Sequence, residues 1–87
     1  MKGVIVIDVV FEADKCRAAA YDGDKLVGEC DAVPGEGVWT ITHTGTDPDY
    51  RGQGIARRLV ECIDEASKEA GVDIVSECSY SLKVLGH

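Results

Sequence analysis

The stretch from Thr46 to Val60, TDPDYRGQGIARRLV, sets a proline, an arginine and two glycines directly before a regular amphipathic pattern. Gly52 and Gly54 fall where a strand hands over to a helix. The first N–H groups of a helix have no internal partner, and the aligned peptide dipoles place roughly half a positive charge there. Glycines just before that point let the chain turn those amides toward one spot and let a ligand approach closely. This is a general means of holding a phosphate. The spacing is neither the G-x-x-x-x-G-K-[ST] of a Walker loop nor the G-x-G-x-x-G of a dinucleotide-binding fold. Local physics alone leaves a second reading open, a Gly-rich turn that only lets the helix pack.

Two further residues have chemistry to offer. His43 ends a strand-like run shortly before this loop, and histidine changes charge near neutral pH, which suits a general base. The alternative is a core histidine sharing a face with Trp39 and Ile41. Cys78 ends another apolar run, with Ser79 placed to cap a following helix. A thiolate is stabilised at a helix N-terminus, and such a cysteine would be a nucleophile with His43 as its base. A small buried residue is the commoner fate of a cysteine. Cys16, Cys30 and Cys62 carry no comparable argument, and His87 is the last residue.

The elements that must position these residues follow from periodicity. Val4 to Phe11 is rich in β-branched residues and predicts a strand. Arg17 to Tyr21 and Leu26 to Val33 flank the tight-turn signal Asp22-Gly23, which predicts a hairpin. After the turn Pro34 to Gly37, Val38 to Thr44 alternates, with Trp39, Ile41 and His43 on one side and Thr40, Thr42 and Thr44 on the other. Four consecutive antiparallel strands are expected. Ile55, Leu59, Ile63, Ala66 and Ala70 then form one helical stripe, with Asp64 and Lys68 paired on the other side and Gly71 as terminator. Val72 to Cys78 predicts a fifth strand. A strand, a helix and a strand joined by short links make a right-handed crossover, so the fourth and fifth strands should be parallel. The fold class is α+β, a single domain over residues 1–87, without repeats or linkers.

Composition removes several classes of function. The 87 residues, 45% apolar and 29% charged, fit one small soluble domain with a modest core. The net charge of −7, from 16 acidic and 9 basic residues, argues against a nucleic-acid binder. Arg51, Arg57 and Arg58 nevertheless form a local cationic spot at the loop. The four cysteines show no zinc spacing, and no metal site is expected. The N-terminal run is broken by Asp8 and lacks a cleavage pattern, and no segment approaches the roughly 18 to 20 apolar residues of a membrane span. A reducing, cytoplasmic setting is expected, with no membrane partner.

Arg51-Gly52-Gln53-Gly54-Ile55-Ala56 resembles the [QR]-x-x-G-x-[GA] signature of the GCN5-related N-acetyltransferases, and the element order resembles theirs. The Thr42-His43-Thr44 segment and Cys78-Ser79-Tyr80 are similar to a compact subgroup lacking the helices between the first two strands. That subgroup usually has proline where this chain has Ser79. The resemblance covers most of Phe11 to Tyr80. It implies an acetyl-CoA-dependent N-acetyltransferase acting on an unidentified amine, small molecule or protein; the alternative is a non-catalytic CoA-binding or regulatory module of the same fold. It further implies that the amides of Gln53, Gly54, Ile55, Ala56 and Arg57 hold the CoA pyrophosphate, with Arg51 and Gly52 opening the cradle and Arg57 or Arg58 neutralising phosphate. Thr44, Gly45 and Thr46 would offer their backbone to the pantetheine arm. His43 and Cys78 become catalytic candidates, with Tyr80 as proton donor to the CoA sulfur. A monomer or weak homodimer is expected, since splayed parallel strands leave backbone that a ligand or second subunit would cover.

Overall fold

The computed structural model describes residues 6–76. A five-stranded sheet runs in chain order: β1 (Asp8–Glu12), β2 (Arg17–Asp22), β3 (Lys25–Pro34), β4 (Val38–Thr46) and β5 (Asp73–Ser76). A short 3-10 helix (Pro48–Tyr50) and the helix α1 (Ile55–Ala70) lie between β4 and β5. The first three pairings are antiparallel and β4–β5 is parallel, as the crossover requires. The first strand begins at Asp8, the residue that interrupts the apolar run, and the described part of the fifth ends at Ser76. No helix among the described residues is long and apolar enough to cross a membrane.

The helix lies on one face of the sheet because the strands beneath it offer small residues. Ala18, Ala20 and Cys30 are fully buried there with Ile41, against Ile55, Leu59, Val60 and Ile63 of α1. Phe11 and Trp39 stack at 5.5 Å between ring centroids and close one end of this layer. The apolar stripe holds for its first three members and then drifts. Ser67 is buried and Ala70 is exposed. Ser67 sits one turn beyond Ile63, and its hydroxyl is satisfied by the Asp64 carbonyl at 2.7 Å, so burial leaves no polar group unpaired. Gly71 ends the helix in the left-handed conformation (φ 74°), and its N–H and that of Val72 return to Lys68 and Ser67 carbonyls.

Two irregularities shape the sheet. Ala20 faces Gly28 while Tyr21 faces Leu26, so Val27 is an extra residue in β3. Asp31 faces His43 while Ala32 faces Ile41, so Thr42 is an extra residue in β4. A bulge of this kind turns every later side chain to the other face. The second bulge corrects the alternation expected from sequence. His43 does not share the face of Trp39 and Ile41; it stands on the face opposite α1.

Candidate active site

The segment after β4 is tied down before it reaches its glycines. The Asp47 N–H donates to the Val27 carbonyl at 2.8 Å. The Asp47 carboxylate caps the 3-10 helix by accepting the Asp49 N–H at 2.9 Å, and Pro48 occupies the first position, where a missing N–H costs nothing. Gly52 (φ 81°) and Gly54 (φ 72°) then take left-handed conformations. A Cβ at either would meet nothing within 4 Å, so conformation and open space explain these glycines, not crowding.

Gly54 is the N-cap of α1 and carries no capping side chain. The first helical bond runs from the Arg58 N–H to the Gly54 carbonyl at 3.1 Å. The amides of Ile55, Ala56 and Arg57 precede it, where a helix offers them no internal acceptor, and no acidic residue occupies the first turn. Ile55 and Ala56 border a concavity of about 290 Å³ lined also by Thr46, Tyr50, Arg51, Gly52 and Gly54. Thr46 Oγ1 is buried beside it and has no hydrogen-bond partner among the described residues. A buried hydroxyl without a partner costs free energy, and a ligand group in the concavity would supply one. These features fit the phosphates and polar arm of a coenzyme A.

The arginines divide. Arg51 is exposed and makes no ion pair among the described residues. Arg57 pairs with Glu61 at 3.2 Å on the solvent side. Arg58 turns away and donates to the Ile7 carbonyl at 3.1 Å, fastening α1 to the entry of β1.

The end of β4 is a wall between two hollows. Thr44 Oγ1 donates to Cys30 Sγ at 3.4 Å on the helix side, and Thr46 lines the cradle on that side. Gly45 and His43 face the other way, into a cleft of about 260 Å³ with Glu29 and Asp47. The His43 side chain is 59% exposed, with Nε2 at 3.9 Å from Glu29 Oε2. Glu29 in turn accepts from Arg17, which also holds Glu12. Glu29, Asp31 and His43 bring ligand atoms within 4.8 Å of one another. On its far edge β4 pairs with β5 only from Val38 to Ile41. The described part of β5 ends there, at Ser76.

Cys78 and Tyr80 lie outside the described residues. Burial pushes the Cys16 thiol up, and burial together with Glu65 does the same at Cys62, so neither is an activated nucleophile. Sequence reasoning missed Gly28. A Cβ there would come within 3.1 Å of Leu59 Cδ1, 3.2 Å of Ile55 Cγ2 and 3.3 Å of the Gly45 carbonyl, so glycine lets the start of α1 seat directly on the sheet. The signal was present, since glycine inside a strand marks close backbone approach.

An antiparallel meander closed by a glycine loop, a helix without a capping side chain and a parallel strand is the architecture of the acetyltransferases to which the signature points. The family model described as GCN5-related N-acetyl-transferase matches residues 17–87, and the chain belongs to that family. Comparison with curated proteins returns no match. Among solved structures, an aminoglycoside acetyltransferase from an uncultured soil metagenomic sample, in complex with sisomicin, superposes with a TM-score of 0.64 at 17% identity, covering 80% of this chain and 53% of that one. A GCN5-related N-acetyltransferase from Sphaerobacter thermophilus gives 0.62 at 27% identity, over 67% of this chain and 19% of that one. An aminoglycoside N-acetyltransferase in complex with CoA gives 0.59 at 18% identity, over 80% and 53%. The chain thus spans about half the length of the aminoglycoside enzymes it matches.

Proposed function

We propose that this protein transfers the acetyl group of acetyl-CoA to an amine. The observation that carries the reading is the start of α1, which has no capping side chain and no acidic residue in its first turn, beside the concavity that borders the unpartnered Thr46 hydroxyl. The amides of Ile55, Ala56 and Arg57 would take the pyrophosphate, with Arg51 adding positive charge. The backbone of Thr44, Gly45 and Thr46 would take the pantetheine arm, and Thr46 Oγ1 would gain the partner it lacks. Family membership and the CoA bound to a structural neighbour support the same cofactor.

Acetyl-CoA would present its thioester at the edge of β4, between the two hollows, and the acceptor enters from the open face, where His43 stands. His43 takes the proton of the incoming ammonium, so that the amine lone pair can attack the thioester carbonyl. The N–C bond forms, the C–S bond breaks, and the nitrogen gives up its second proton as the departing sulfur takes one, so that protons balance. Tyr80 is proposed as its donor. Cys78 is proposed as an acyl carrier in a two-step variant, with the acetyl group resting on its sulfur before reaching the amine. Glu29 and Asp31 beside His43 give the open face negative charge, which favours an acceptor arriving as a cation.

A calorimetric titration with acetyl-CoA, with ATP as a phosphate-bearing control, tests the reading. Saturable binding of acetyl-CoA without binding of ATP is expected. No binding by folded protein would reduce the loop to a turn. Turnover with amines, and its loss in His43→Ala, separates an enzyme from a CoA-binding module. An added acetyl mass on Cys78 would establish the two-step route.

A further inference from the structure

The glycine loop itself has few fastenings. Between Arg51 and Gly54 it carries two left-handed residues, all four residues are exposed, and its shape depends on how its entry is held. That entry is Tyr50. The Tyr50 hydroxyl donates to Asp22 Oδ2 at 2.5 Å, across 28 residues of sequence, and its ring packs against the edge of the core. Asp22 closes β2 at the hairpin turn, opposite Lys25. Lys25 in turn sits with Nζ 5.3 Å from the Tyr50 ring centroid and 3.8 Å from Asp47 Oδ2. The β2–β3 hairpin tip therefore grips the segment just before the cradle, while Gly54 and α1 hold it just after.

We infer that the Tyr50–Asp22 contact braces the cradle in its phosphate-receiving shape, making Tyr50 a positioning residue for acetyl-CoA. This rests on the function proposed above. A loop with two glycines loses conformational freedom when it orders around a ligand, and an anchor that has already ordered it removes part of that cost from binding. A hydrogen bond to a charged carboxylate is strong enough to matter, and because this one holds the entry of the cradle its effect is expected on binding. A tyrosine hydroxyl is protonated at neutral pH in any case, and the bond to Asp22 raises its pKa further, so Tyr50 remains a donor there.

The test compares wild type with Tyr50→Phe, Asp22→Ala and Asp22→Asn, in calorimetric titrations with CoA and in steady-state assays. Tyr50→Phe and Asp22→Ala are each expected to raise the Kd for CoA and the KM for acetyl-CoA by roughly three- to tenfold. The kcat should stay within about twofold, because only binding is affected. Asp22→Asn keeps an acceptor oxygen and should retain most of the affinity. In ligand-free protein, amide exchange at Gly52 and Gly54 should quicken in Tyr50→Phe, while exchange at Leu59 and Ile63 stays as in wild type. Wild-type affinity together with wild-type loop exchange in Tyr50→Phe would overturn the brace, and so would a fall in kcat with unchanged KM. If wild type bound no CoA, the functional reading would fail by itself, and exchange at Gly52 and Gly54 would still decide whether the brace exists.

Discussion

The imidazole of His43 lies over Gly45, on the same face of β4, so closely that a Cβ on Gly45 would sit 3.0 Å from Nε2. Residues two apart on a strand share a face, and here one carries the proposed base while the other leaves room for it. Gly45→Ala should therefore push the ring aside at little cost in stability, since His43 is largely exposed and free to swing. Turnover should fall roughly tenfold or more, because displacing a catalytic group by about 1 Å is costly. Affinity for acetyl-CoA should change less than kcat. Equal loss in Kd and kcat would mean that Gly45 serves the cofactor instead.

Removing His43 altogether is the stronger test of its role. His43→Ala is expected to lower kcat by about 10²- to 10⁴-fold while leaving CoA binding intact. Retained activity would pass the general-base role to another group.

Gly54 is required for its backbone. Gly54→Ala should destabilise the fold by about 1–2 kcal/mol, since an L-residue resists the left-handed conformation. Gly54→Glu adds negative charge beside the uncapped amides and should abolish CoA binding in protein that remains folded. Unchanged affinity in that variant would sink the assignment of the phosphate cradle.

Gly28 is required for its size. Gly28→Ala should cost about 1–3 kcal/mol in urea denaturation, because the new methyl meets Leu59, Ile55 and the Gly45 carbonyl together. The same displacement lifts the start of α1, so CoA affinity should fall with stability. A neutral substitution would mean that α1 shifts freely over the sheet.

Acid should loosen the open face of the sheet. The Tyr21 hydroxyl and then Arg17 hold the Glu12 carboxyl below the usual carboxylate range, with contacts of 2.6 Å each. A depressed folded-state pKa means stability that is present above the unfolded value, about 4.3, and is lost as pH falls through the folded value. Tyr21 shows the opposite sign. Its bond to Glu12 raises its pKa, so its contribution is present below the unfolded value of about 10 and is lost as pH rises through the folded one. Thermal melts across pH should show both slopes, and Glu12→Gln should flatten the acid limb. An unchanged acid limb in Glu12→Gln would place the effect elsewhere.

The sequence by itself determined the element order, the parallel fifth strand, the left-handed end of the helix at Gly71, and the placing of a Gly-rich loop against an open helix start. Those features depend on signals a few residues long, such as apolar period, turn glycines and the shortness of the connections. Tertiary structure decided where the side chains went. The bulge at Thr42 moved His43 from the core face to the open face, because register is set by the neighbouring strand and not by alternation within one. Arg58, which seemed suited to phosphate from its place beside the loop, was drawn to the Ile7 carbonyl, 51 residues away. Tyr50 met Asp22 across the hairpin, and Gly28 met α1, through contacts that exist only once the sheet is folded. Local pattern specifies which elements form; the meeting of distant residues, which no short window contains, specifies the geometry of the site.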